Sequence, residues 1–328
     1  MGNFSKFIVD FFCETMDLKG TLLSIVIPVF NEEDNIILIH KKLAELLHGI
    51  IEYEIIFVND GSKDNSLNVI KDISVTSKNI KFINLTRNFG HQAALTAGMD
   101  FAAGDIVVTM DCDMQDPPEL ILKMIEKWKE GALVVYTRRK QRHESFLKKY
   151  SARTYYSVLR SVSEFNEGED IGDFRLIDKK VLTELKKMHE KSRYLRGMIS
   201  WLGFNYVIID YDRPLRVHGK TGFSLVKMIR LAMDGILSFS LLPLQLGFVI
   251  GVLCIIVGLI FLGYISYDAL INHVDYPLYK WLVIALFLLL GFMFILMWIV
   301  AEYIGRIFNE TKGRPIYVIL NTGNINAE

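Results

Sequence analysis

The chain has 328 residues, with 37 Lys plus Arg against 37 Asp plus Glu, so its formal net charge is zero and no global field argues for a nucleic-acid partner. Hydrophobic residues make up 51% and charged residues 23%, and the mean hydropathy of +0.28 puts part of the chain in lipid. Cys13, Cys112 and Cys254 stand alone without Cys-x-x-Cys spacing, which argues against a zinc site or a disulfide framework and fits a reducing compartment.

In residues 1–20, "FIVDFFCETMD" is apolar but short, is broken by Asp10 and Glu14, and lacks the basic start of a signal peptide, so this end is expected in the cytoplasm. From there to residue 223 the pattern alternates. "LLSIVIPVF" predicts a strand, "EDNIILIHKKLAELLHGI" a helix, "EYEIIFVND" a strand, "SLNVIKDISVT" a helix, "IKFINLT" a strand, "HQAALTAGMDFAAG" a helix rich in small residues, and "IVVTMD" a strand. Such alternation implies an α/β domain, a mostly parallel sheet with helices on both faces. Its strands then end at Asn31–Glu32, Asp60, Arg87 and Asp111, along one edge, where open α/β sheets bind ligands.

The fourth strand runs into "DCDMQDPPEL", with Asp111, Asp113 and Asp116 inside six positions. Alone, an Asp-x-Asp reads as a solvated turn; polar residues delivered to the same edge by several strands favour a site. No Gly-x-Gly-x-x-Gly follows the first strand, and "GKT" at 219–221 has Pro214 where a P-loop needs its leading glycine. Asp116 is expected to cap a helix starting at Pro117, and Cys112 to pack.

"SFLKKYSARTYYSVLRS" reads equally as a surface helix or a membrane contact. "SLVKMIRLAMDGILSFS", 224–240, is an amphipathic helix expected in the headgroup layer. Residues 241–302 follow as a transmembrane hairpin, with spans at about 243–267 and 281–301. Arg213, Arg216, Lys220, Lys227 and Arg230 precede it and Arg306, Lys312 and Arg314 follow, so both termini, including the tail 303–328, are expected in the cytoplasm. "RPIYVIL" in that tail suggests an edge strand pairing with a neighbouring subunit, hence a homo-oligomer.

"SIVIPVFNEEDNI", "FVNDGSKDNS", "RNFGHQAALTAG", "MDCDMQDPPEL", "GDFRLIDKKV", "RYLRGMISWLGF" and "GKTGFSLVKMIRLAMDGILSFS", in that order before a two-helix hairpin, resemble the family 2 glycosyltransferases that charge polyisoprenyl phosphates. The likeness is strongest to the bactoprenol glucosyltransferases and weaker to the dolichyl-phosphate mannose synthases. It implies the Rossmann-like GT-A fold and transfer of a sugar, with UDP-glucose expected as donor, onto undecaprenyl phosphate in a bacterial cytoplasmic membrane. By the same resemblance Pro28, Phe30, Asn31, Glu32, Asp60, Gly61, Ser62 and Arg87 hold the nucleotide. Asp111 and Asp113 bracket its diphosphate and a Mg²⁺ or Mn²⁺ ion, whose preference for hard oxygen ligands suits them.

Gln115 would orient donor or acceptor. Two anions meeting in one site need cations, and Arg138, Arg216 and Lys220 are the first candidates, ahead of Arg175 and Arg139. Asp173 is a weaker candidate for the sugar. A processive synthase is an alternative, but "RYLRGMISW" lacks the Gln-x-x-Arg-Trp segment. A scaffold with an inactive transferase fold is another, and intact Asp60, Asp111 and Asp113 argue against it.

Overall fold

The computed structural model describes residues 18–139, 171–191, 193–211, 267, 271 and 277–325. The chain divides into two compact units, one of Met1–Arg160, Glu164–Ser224 and Pro315–Glu328, the other of Ser161–Ser163 and Leu225–Arg314.

The first unit is built on an eight-stranded sheet. Its strands are β1 (Leu22–Val29), β2 (Glu52–Asn59), β3 (Ile80–Leu85), β4 (Ile106–Thr109), β5 (Val134–Arg139), β6 (Ile171–Asp178), β7 (Tyr206–Tyr211) and β8 (Ile319–Gly323), in the order β7-β5-β6-β4-β1-β2-β3-β8. β1 pairs in parallel with both β2 and β4, and β2 with β3. Their sequences are nearly unbroken apolar runs because both faces are covered: every residue of β1 after Leu22 is buried.

The helices are α1 (Glu33–Leu47), α2 (Ser66–Thr76), α3 (His91–Asp100), α4 (Leu120–Lys129), α5 (Lys179–Lys187) and α6 (Leu195–Trp201). α1 buries Ile36, Ile39, Leu43 and Leu47, the three-and-four spacing of one helical face. α3 is different, with seven consecutive buried residues from Ala93 to Met99. Its small side chains let it lie hard against the sheet, and a methyl group on Gly98 would sit 2.2 Å from Val26 Cγ1 and 3.0 Å from Val58 Cγ2.

The mostly parallel expectation therefore holds, with two antiparallel departures. β6 enters between β4 and β5, antiparallel to both, and β8 is antiparallel to β3. Ile319 and Leu320, the last two residues of the segment expected to pair with a neighbouring subunit, open β8, which pairs with β3 of its own sheet. An edge beside a parallel strand leaves a row of unpaired amides and carbonyls, and β8 covers it.

In the second unit, helix α7 (Leu278–Thr311) runs 34 residues and contains the second expected span. The first expected span, the interfacial helix 224–240 and residues 145–161 lie outside the described residues. Among the described residues, no helix is both long and apolar enough to cross a membrane.

Candidate active site

Because β1 to β4 are parallel, their carboxyl ends open on one edge, as expected. Two loops lace together at the β1 and β2 exits. Asn31, held at a left-handed φ of 57°, donates its N–H to Ser62 Oγ at 3.0 Å and accepts from Lys63 N at 2.8 Å on Oδ1. Glu32 N donates to Ser66 Oγ, and Asn65 N donates to Glu33 Oε2. Phe30 stands 44% exposed on this surface, an aromatic face available for stacking, whereas Pro28 lies in β1 paired with Val58.

Asp60 is buried beneath these loops. Its Oδ1 accepts from Phe89 N at 2.7 Å and its Oδ2 from Gly90 N at 2.9 Å, so it holds the β3–α3 loop in place. Burial pushes its carboxyl above the usual range, against the pull of those two donors. Gly61 has φ of 68°, and a Cβ there would lie 2.6 Å from the Arg87 carbonyl carbon and the Asn88 nitrogen. Glycine is required because two backbones meet. Arg87 donates to the Asn88 carbonyl and lies 4.0 Å over the Phe89 ring.

At the β4 exit, Asp111 is about a third exposed, and Asp113 is 4% exposed with Oδ1 accepting from Gln115 N at 3.1 Å. Met114 between them takes φ of 61°, the sharp turn that folds this segment back. Cys112 is buried in the core, its thiol pushed well up by burial, in keeping with a packing role. Asp116 does not cap a helix. α4 starts four residues later at Leu120, and Asp116, 1% exposed, accepts from Asp111 N at 3.4 Å and from the Tyr211 hydroxyl at 2.9 Å. It braces the turn to β7, a partner too distant in sequence to predict.

The antiparallel register of β6 carries Asp173 to the same edge as Asp111, since Thr109 already faces Arg175. Asp173 is the hub. Arg196 of α6 grips it with Nε at 3.1 Å and Nη2 at 2.9 Å, Arg175 pairs with it, and His91 Nε2 lies 3.5 Å from it and 3.5 Å from Asp111 Oδ1. Burial alone would raise the Asp173 carboxyl, but Arg196, His91 and Arg175 hold it well below the ordinary carboxylate range. Desolvation would lower the pKa of His91, and Asp173 and Asp111 instead bring it up to about 9. Sequence reasoning missed His91 and Arg196. The only signal for His91 was its place at the start of a helix beneath a strand exit.

Arg138, the first-choice phosphate ligand, forks onto Asp210 with Nε at 2.7 Å and Nη2 at 3.1 Å across the β5–β7 pair. Arg216 and Lys220 lie outside the described residues. Among the described residues no cluster of three or more His, Cys, Asp or Glu side chains makes a metal cage. A Mg²⁺-type ion needs none when one or two carboxylates share it with phosphate oxygens, and the accessible carboxylate of Asp111 fits that mode.

The family model described as glycosyl transferase family 2 matches residues 24–186. The chain is 43% identical over 298 residues to the uncharacterized glycosyltransferase YkcC of Bacillus subtilis, covering 90% of this chain and 92% of that protein. It is 37% identical over 299 residues to the prophage bactoprenol glucosyl transferase homolog of Escherichia coli, with 90% and 98% covered. Against the bactoprenol glucosyl transferase of Shigella phage SfV the identity is 36% over 301 residues, with 91% and 98% covered.

Proposed function

Because the chain belongs to glycosyl transferase family 2 and is a glycosyltransferase, we propose that it moves glucose from UDP-glucose, with inversion, onto the phosphate of a polyprenyl carrier such as undecaprenyl phosphate. The observation that carries this reading is the charged hub at the sheet edge, where His91 reaches both Asp111 and Asp173 and two arginines back them. The relatives named for bactoprenol support the lipid acceptor.

In the proposed reaction a lipid phosphate oxygen bonds to the sugar's anomeric carbon as the bond from that carbon to the diphosphate oxygen breaks. The electron pair departs with UDP. The attacking phosphate is already anionic near neutral pH, so no strong general base is needed. The larger demand is on positioning and on neutralising the charge that builds on the diphosphate. Asp111 and Asp113 would hold Mg²⁺ or Mn²⁺, which supplies part of that neutralisation when bound.

The chain's own groups do the rest. Phe30, Asn31 and Ser62 form the floor for base and ribose, with Asp60 fixing the loop behind them. Gln115, whose backbone N–H is bonded into the Asp113 turn, would orient the reacting groups. Asp173, kept ionised by Arg175 and Arg196, would receive sugar hydroxyls. Arg216, Lys220 and Arg138 would meet the acceptor phosphate, Arg138 by exchanging its Asp210 partner.

A polyprenyl tail does not leave the bilayer cheaply, so the enzyme needs an anchor. The apolar stretches at 243–267 and 281–301 would span the membrane as a hairpin, with the amphipathic helix 224–240 in the headgroups and the catalytic unit on the cytoplasmic side.

The test is a transfer assay on full-length protein in vesicles containing undecaprenyl phosphate. Radiolabelled UDP-glucose, UDP-N-acetylglucosamine and GDP-mannose are offered with Mg²⁺, with Mn²⁺ or with chelator. Metal-dependent labelling of the lipid by UDP-glucose, lost in Asp111→Asn and Asp113→Asn, is expected. Long polymer in place of a lipid monosaccharide, or no labelling with any donor, would overturn the proposal.

A further inference from the structure

Three side-chain amides cross the sheet in single file. Asn84 Nδ2 donates to Asn321 Oδ1 at 2.8 Å, Asn59 Nδ2 donates to Asn84 Oδ1 at 2.8 Å, and Ser62 N donates to Asn59 Oδ1 at 3.3 Å. Asn59 and Asn84 are 2% and 4% exposed, so neither can turn to water. Each amide offers its oxygen to one neighbour and its nitrogen to the next, so the orientation of all three is set together. The acceptor at the β8 end fixes Asn84, Asn84 fixes Asn59, and Asn59 then presents oxygen rather than nitrogen to the Ser62 N–H.

The last link reaches the loop assigned above to the nucleotide. Ser62 also accepts from Asn31 N, so its placement governs both loops at the β1 and β2 exits. The first link joins residues 237 positions apart, its Asn321 end on the strand that follows α7 after only residues 312–318. That strand is held independently at both ends. The Tyr317 hydroxyl donates to Asp100 Oδ2 at 2.8 Å, and Asn324, at φ of 57°, donates to the carbonyls of Ser74 in the last turn of α2 and of Ile80 at the start of β3.

From this chain of contacts we infer that Asn321 is a positioning residue for the donor site, setting the Gly61–Ser62 loop through Asn84 and Asn59 without touching the nucleotide. The inference rests on the proposed donor role of that loop. Only the acceptor oxygen of Asn321 matters to the relay. Asn321 itself is exposed on β8, so Asn321→Asp keeps the acceptor oxygen, whereas Asn321→Leu removes it from Asn84 Nδ2.

The experiment uses the full chain in detergent with Mg²⁺ and UDP as the probe, together with hydrogen exchange at the 59–66 loop in the absence of nucleotide. Asn321→Leu should weaken UDP binding roughly three- to tenfold, the effect of one modest hydrogen bond. It should raise KM for the donor far more than it lowers kcat and speed exchange at Ser62, with exchange in α4 unchanged. Asn321→Asp should stay within about twofold of wild type.

Equal Ser62 exchange in Asn321→Leu and wild type overturns the relay whether or not nucleotide binds, as does an Asn321→Asp variant as impaired as Asn321→Leu. If wild-type protein binds no UDP while Asn321→Leu loosens the loop, the relay stands and the donor reading fails.

Discussion

Replacing Arg196 by alanine tests the charged hub directly. Asp173 is 12% exposed and Arg196 27% exposed, and the pair shares two charge-assisted hydrogen bonds of 3.1 and 2.9 Å. Stranding a buried carboxylate costs about 3–5 kcal/mol when its sole partner goes. Here Arg175 and His91 remain, and water reaches part of the Arg196 position, so the expected loss is about 2 kcal/mol. For a unit of this size that lowers the melting temperature by about 4–8 °C, readable by thermal unfolding of the full-length protein.

Arg196→Lys keeps the charge but not the fork and should lose about half as much. The pH dependence gives a second check. Asp173 has a depressed folded-state pKa, so its contribution is present above the unfolded value of about 4 and is lost as pH falls through the folded one. Removing Arg196 lifts the folded pKa, so the gap between wild type and variant should be full at neutral pH and close only as pH falls from the variant's folded pKa through the depressed wild-type one. A gap that persists unchanged in acid, or a melting point within about 1 °C of wild type at neutral pH, would refute the hub's electrostatic basis.

Other perturbations address separate parts of the edge. Gly98→Ala drives a methyl group into Val26 and should cost about 1–3 kcal/mol in chemical denaturation, a loss that Val26→Ala in the same chain should largely restore. Tyr211→Phe removes the donor to buried Asp116 and should cost about 1–3 kcal/mol, with the proposed lipid glucosylation reduced because the Asp111 turn loses its brace. Gly61→Ala meets both a positive φ and the Arg87–Asn88 backbone at 2.6 Å, and isothermal titration should show UDP affinity lost by more than tenfold, a loss of more than about 1.4 kcal/mol.

The parallel core was legible in the sequence because strands buried on both faces must be apolar throughout, and because polar residues at each strand exit marked the shared edge. Helix α2 was read at its observed bounds, Ser66–Thr76, since its periodicity is local. What failed to show was everything decided by pairing between distant segments. Arg196 and Asp173 are 23 residues apart, and neither their spacing nor their type announces that one will clasp the other. Asp116, followed by two prolines, carries the local marks of a cap, yet its partners are a backbone amide five residues back and a tyrosine 95 residues on. Arg138 looked like a phosphate ligand and lies paired with Asp210, because the sequence could not say that β5 and β7 run side by side. Asp111 and Asp113 were legible as a motif, but the neighbouring His91 was not, since one histidine opening a helix has no pattern to betray it.

The position of β8 in the chain also sets an order of assembly. Domains begin to fold from the amino terminus as synthesis proceeds, and strand pairings between remote segments wait until both have emerged. β1 to β4 can form early. The outer edge beside β3, and the amide relay that depends on it, can be completed only after the whole of α7 has left the ribosome. The Gly61–Ser62 loop thus reaches its final geometry late in biogenesis, after α7 has been synthesised. Built this way, a nascent catalytic unit would close its outer sheet edge only once α7 exists, a timing written into chain order.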